Sequence, residues 1–354
     1  MDFVVELNPH SSFKTIPKSD TIFGAICWGV ALLYGNERLE TNLLKPFDKR
    51  LPPFLISSTF PFVRCADRVI RYLPIPLLPS PAHEILEFEE LKRSKLLKEA
   101  RWITAGIFSD FLHGELSYEK LRDELCLSDD SDQRRYVFHD SIIVERTLIN
   151  ELSDKLRIHP TIVVEMLTCL YKPGDTMHNS IDRLQGTVAE GALYYNPHNY
   201  FSPDTGCYFL LKVIDEDILE ILIPALRFLE DRGIGGEVST GQGEFDLEII
   251  PGKPYTEPES GSAVVILSLC HPLPEQLSQI MESNISCYQV ERRKGMIEAA
   301  FFEGKNLWKM TLLNFKEGSL FPPPKDYWGC NPVVKEAMFK VRQYGYGFPA
   351  FIKV

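Results

Sequence analysis

Apolar and polar positions alternate in blocks along this chain, and each block predicts an element. Asp2–Leu7 (DFVVEL) packs β-branched and apolar residues together and is ended by Asn8-Pro9, as a short strand would be. A polar loop follows. Asp20 can then cap a helix over Thr21–Tyr34 (TIFGAICWGVALLY) that stops at Gly35. Its apolar positions cover most of the circumference, which predicts a buried helix. A second helix is expected over Glu37–Leu44 and a strand over Phe54–Phe60. Later, Tyr208–Ile214 (YFLLKVI) reads as a strand, and Asp215 opens a helix with acids in its first turn and Arg232-Gly233 at its end. Phe245–Ile250 alternates like a strand. Beyond it come a strand at Ala263–Leu269, a short helix at Pro274–Ser283, and strands at Ser286–Arg292, Leu307–Phe315 and Gly347–Lys353.

Pro61–Arg183 is the least regular stretch. Its run RYLPIPLLPSP fits neither a helix interior nor a central strand. A charged helix over Glu84–Arg101 and a β-like segment over Phe138–Ile149 are expected within it. The stretch reads as insertions into a core domain. Pro251–Gly261, rich in proline and glycine, is the clearest linker. The resulting order predicts an α+β protein of two ferredoxin-like (split βαβ, RRM-like) domains. The first would span residues 1–250, with an insertion at about 61–185, and the second residues 263–354. No tandem repeat of about 20–50 residues is visible, which argues against a solenoid.

Composition narrows the class. The 354 residues are 44% hydrophobic and 25% charged, an ordinary globular mixture. With 38 Lys+Arg against 49 Asp+Glu, the net charge of −11 disfavours a protein that coats duplex DNA. The eight cysteines contain no C-x-x-C pair, which argues against zinc ribbons and a disulfide framework. Free thiols in a reducing cytoplasm are expected. Asp2 and Glu6, with no basic segment, do not form a secretory leader. The longest uncharged stretch, Thr21–Asn36, falls short of a membrane span. None of the eight histidines shows H-x-x-x-H spacing, so neither metal nor cofactor is expected.

The strongest local signal is the loop Gly233–Gly243 (GIGGEVSTGQG). Five glycines let backbone amides approach an anion, through Gly233, Gly235, Gly236, Gly241 and Gly243 with Ser239, Thr240 and Gln242 beside them. The loop is not a Walker A motif, because Gln242 stands where the lysine belongs, and it follows a helix rather than a strand. A plain glycine-rich turn is the competing reading. The N-terminal loop offers His10, Ser11, Ser12, Lys14, Ser19 and Thr21 beside a helix N-terminus; it could equally be a solvated connection. Asn179 and Arg183 in HNSIDR could hold a phosphate, or the segment could be a surface salt-bridge set. Arg292-Arg293-Lys294 reads as a solvated face. Tyr344 and Tyr346 could stack bases or belong to the core.

At the glycine-rich loop the sequence resembles the RAMP superfamily of CRISPR-associated RNA-binding proteins, in which such a loop sits between the second helix and last strand of a ferredoxin-like domain. Further segments resemble one subfamily, the fourth subunit of type III-A (Csm) effector complexes. They are SSFKT with SDTIFGAICW, FLISSTFPF, HNSIDRLQGT, GIGGEVSTGQGEF, KEGSLF and QYGYGFP, in order along the chain. The resemblance implies a non-catalytic subunit that caps the 5′ handle of crRNA. It would contact the large polymerase-type subunit and a RAMP backbone subunit, meet target RNA only indirectly, and leave membranes alone. It also implies a thumb-like hairpin whose position the residues do not reveal. The alternative is a RAMP endoribonuclease using a histidine acid/base, for which His10 is the candidate.

Overall fold

The computed structural model describes residues 1–79, 87–127, 134–182, 187–297, 307–336 and 340–354. β1 (Asp2–Pro9) leads into α1 (Ser19–Arg38), a π-helical turn over Leu39–Leu44 and the short α2 (Lys45–Asp48). β2 (Phe54–Ile56), β3 (Phe60–Cys65) and β4 (Arg68–Pro74) follow, then α3 (Phe88–Glu99), β5 (Trp102–Thr104), α4 (Ala105–His113) and α5 (Tyr118–Glu124). β6 (Leu125–Leu127), β7 (Tyr136–His139) and β8 (Ile142–Glu145) precede α6 (Arg146–Leu156) and α7 (Pro160–Thr168). A hairpin of β9 (Tyr171–Asp182) and β10 (Thr187–Phe201) comes next, then β11 (Thr205–Val213), α8 (Leu219–Arg232) and β12 (Phe245–Pro251). The C-terminal part holds β13 (Ala263–Ile266), α9 (Pro274–Glu282), β14 (Val290–Arg293), β15 (Leu312–Phe315), β16 (Leu320–Phe321), β17 (Val333–Glu336), β18 (Lys340–Arg342) and β19 (Pro349–Ile352).

This is a mixed α+β fold built on one large mixed sheet. Its strand order is β12-β1-β11-β3-β4-β5-β8-β7-β6, with β2 also paired to β11. The pairs β5–β8 and β6–β7 are parallel. β1 is central between β11 and β12, pairing Asp2 with Lys212 and Phe3 with Pro251. At its middle, the buried Glu6 carboxylate is matched by Arg64 of β3 and Arg71 of β4, reaching across β11. α1 buries a stripe of Ile22, Phe23, Ile26 and Val30, and its Gly29 lets α8 approach closely at Ala225. Smaller sheets, β16-β13-β19 among them, form the C-terminal part. One hydrophobic core runs from Val4 through Phe23 and Leu226 to Val265, Tyr344 and Ile352.

Several expectations are corrected. α1 is buried on one stripe, not all round; Leu32 and Leu33 are exposed. The stretch after Pro61 is ordered rather than irregular, since β4–β8 continue the main sheet. Arg71-Tyr72-Leu73-Pro74, part of the proline-rich run, ends an interior strand; Pro74 sits at its last position, where the prolines terminate the ladder. The β-like segment at 138–149 is the β7–β8 hairpin end followed by α6, which holds Ile149 on its buried face. Tyr344 and Tyr346 are core residues, unavailable to bases. The Tyr344 hydroxyl accepts from the Ile56 N–H (3.0 Å), and the Tyr346 hydroxyl donates to the Phe47 carbonyl (2.8 Å). Among the described residues no helix is long and apolar enough to cross a membrane.

Candidate functional site

Three segments distant in sequence meet at one end of β1 and β12. The loop after β1 is strapped to the exit of the glycine-rich loop, because the Gly243 N–H donates to the Ser12 carbonyl (3.0 Å) and the His10 N–H to the Glu244 carbonyl (2.9 Å). Ser11 Oγ accepts from the Glu244 N–H (2.9 Å). On its other side the loop pairs with the hairpin base through a bridge between Phe13 and Asn199. Phe13 is buried against Phe201 and Phe245, so apolar packing locks the junction.

The glycine-rich loop is pinched at its neck. The Ile234 N–H donates to the Gly243 carbonyl (3.0 Å), and both Gly233 (φ 86°) and Gly243 (φ 74°) hold left-handed backbone in buried positions. Beyond the neck Gly235, Gly236, Ser239 and Thr240 are exposed. Thr240 Oγ1 donates to the Glu237 carbonyl, closing a short turn. Glu237 itself is left-handed (φ 66°), a conformation that costs a non-glycine residue about 1–3 kcal/mol and recurs at functional sites.

Electrostatics at the junction differ from expectation: each basic side chain of the N-terminal loop already lies against a carboxylate. Lys14 Nζ lies 2.7 Å from Glu237 Oε1, His10 Nε2 2.8 Å from Asp246, and Lys18 Nζ 2.5 Å from Glu291 and 3.1 Å from Glu317. The Lys14 ammonium holds the Glu237 carboxyl below the usual range. The N-terminus of α1 faces elsewhere. Ser19 is fully buried, its Oγ accepting from the Leu269 N–H and its own N–H donating to Ser58 Oγ, so it cannot contact a ligand as expected. Asp20 does not cap α1; it pairs with Arg293, and Thr21 beside it donates to Asp20. Asn179 is exposed on β9, opposite Leu193, while Arg183 lies outside the described residues.

Residues outside the predicted contact set complete the site. On β10, Asn196 and His198 share a face with Tyr194, and His178 of β9 lies opposite Tyr194 and stacks on it (5.4 Å, 15°). Asn196 Nδ2 donates to Glu237 Oε1 (2.5 Å). Ser12 Oγ donates to Gln242 Oε1 and lies 3.3 Å from His198 Nδ1. Only the hairpin register, absent from any local spacing, brings these residues to Glu237. Farther out the hairpin exposes Met177, Leu193, Tyr194 and Tyr195, an apolar and aromatic surface away from the core.

Residues 259–354 match the CRISPR Csm4 C-terminal domain family. The CRISPR system Cms protein Csm4 of Thermococcus onnurineus is 26% identical over 263 residues, covering 71% of each chain. The protein of the same name from Methanocaldococcus jannaschii is 25% identical over 244 residues, covering 66% of this chain and 59% of that one. Among solved structures, the Csm3–Csm4 subcomplex of the type III-A CRISPR-Cas interference complex contains a chain similar in fold over the full length of both (TM-score 0.65, 18% identity). So does the Csm1–Csm4 cassette in complex with pppApA, over all of this chain and 98% of that one (TM-score 0.58, 20% identity).

Proposed function

We propose the role that follows from the chain being a Csm4-like type III RAMP protein: a non-catalytic subunit of a type III CRISPR effector complex that binds the 5′ handle of crRNA. The observation that carries this reading is the convergence of the 10–14 loop, the exposed tip of the glycine-rich loop and the hairpin base into one polar surface. Exposed glycine backbone, hydroxyls of Ser239 and Thr240, and aromatic rings such as Tyr194 and Tyr195 suit single-stranded RNA, which is held by phosphate contacts and stacking. The β9–β10 hairpin, which among the described residues joins no strand of the main sheet and is tied at its base to the N-terminal loop, is our assignment for the thumb-like element. In the same reading residues 1–250 and 263–354 are two ferredoxin-like domains, and the chain joins the large polymerase-type subunit to a backbone RAMP subunit in the cytoplasm.

The exposed His10–Asp246 pair favours a second reading, a histidine-dependent endoribonuclease. One assay separates the two. Labelled repeat RNA incubated with the chain, with and without chelator, should stay intact, and Lys14→Ala in the assembled complex should loosen crRNA. A specific cut abolished by His10→Ala would replace the first reading with the second.

A further inference from the structure

We infer that His178, His198 and Glu237 form a three-donor site for a divalent cation of the zinc class, joining the β9–β10 hairpin to the glycine-rich loop. Among the described residues their ligand atoms lie within 4.8 Å of one another. His178 Nε2, His198 Nε2 and Glu237 Oε2 are all shielded from solvent, and none has a hydrogen-bond partner. His198 Nε2 is 3.2 Å from Glu237 Oε2 with no hydrogen bond between them, and His178 Nε2, at 3.9 Å, is beyond hydrogen-bond reach.

Proton bookkeeping explains the misfit. Ser12 has one hydroxyl proton, and it goes to Gln242 Oε1. Ser12 Oγ can therefore accept from His198 Nδ1, which leaves the ring's Nε2 turned toward Glu237 Oε2. In the neutral ring with its proton on Nδ1, Nε2 presents a lone pair beside the carboxylate oxygen, which is the donor set a divalent cation takes. Two donors held at ~2.0–2.1 Å from tetrahedral zinc stand about 3.4 Å apart, close to the 3.2 Å seen here. The half-exposed hairpin can bring His178 in by about 0.5 Å to the same spacing.

The surroundings are those of a supported site. Lys14 and Asn196 both donate to Glu237 Oε1, leaving Oε2 free to ligate, and Ser12 orients His198 through its far nitrogen. Two imidazoles and one carboxylate suit zinc, with a fourth position for water. Because Lys14 already balances Glu237, the ion would add net positive charge beside the loop on an acidic chain. The site stands whether or not that loop binds RNA.

The test uses the full chain, stripped with EDTA, exchanged into chelator-free buffer and titrated with Co²⁺ and then Zn²⁺ in the absence of RNA. One equivalent should bind with a tetrahedral cobalt spectrum lacking thiolate charge-transfer bands, Zn²⁺ should displace it, and binding should raise Tm. Ser12→Ala should weaken affinity ~10–100-fold, the range for an outer-shell partner. His178→Ala, at a half-exposed strand position that circular dichroism can check for folding, and Glu237→Gln should abolish stoichiometric uptake. No stoichiometric uptake by the folded wild-type chain, or uptake that survives both His178→Ala and Glu237→Gln, would overturn the inference.

Discussion

Glu145 is a carboxyl where the fold disfavours charge. Burial pushes its pKa above the ordinary carboxyl value, Asp110 adds to the shift, and the hydrogen bond from Thr104 Oγ1 (2.7 Å) opposes it. A raised folded pKa means the native state holds the proton more tightly than the unfolded chain. That contribution to stability is complete below the unfolded pKa and is lost as pH rises through the folded value. Glu145→Gln should therefore raise Tm at neutral pH, with the gain fading as pH falls toward 4; a gain independent of pH would contradict the account. Tyr344 poses the opposite case. Tyr344→Phe leaves the buried Ile56 N–H without its acceptor and should cost about 1–3 kcal/mol of stability, read by denaturant titration. Cys207 and Cys270 are buried, and burial raises both thiols well above the ordinary range. In the folded chain both should resist alkylation at pH 8 and react once guanidinium exposes them.

Among the elements, the glycine-rich loop separates structural from presented glycines. A Cβ on Gly243 would lie 2.2 Å from the Ile234 carbonyl oxygen, whereas one on Gly235 would meet nothing within 4 Å. Gly235→Ala should cost only left-handed strain, roughly 1–2 kcal/mol. Gly243→Ala must open the neck as well and should lower Tm several-fold further. The sequence predicted this loop because five glycines are a local signal, and β1, α1, β11, α8 and β12 were legible for the same reason: their apolar periodicity faces a core. The β9–β10 hairpin was not, because its apolar residues Met177, Leu193 and Tyr195 face solvent, so alternation there carries no burial pattern. His178, His198 and Glu237 stand 20 and 39 residues apart, beyond any spacing rule, and only strand register unites them. The proline-rich run misled because Pro74 ends an interior strand instead of interrupting it.

For the molecule as a whole, one core joins residues on both sides of the Pro251–Gly261 linker, so heating the full chain should give one cooperative transition; two resolved transitions in calorimetry would show independent halves. Net charge −11, with Lys14 and Lys18 already paired, predicts weak, salt-sensitive RNA binding by the chain alone, measurable by filter binding against salt. The position of β1 bears also on synthesis. Asp2 finds its partner at Lys212 and Phe3 at Pro251, so this interior strand of the sheet is translated long before either strand that flanks it. At ~5–20 residues per second the ribosome needs roughly 10–50 s to deliver those partners. Throughout that interval Phe3-Val4-Val5 is a bare strand that any other nascent chain could claim, which makes slower elongation or loss of a ribosome-bound chaperone the conditions under which this protein is lost to aggregates.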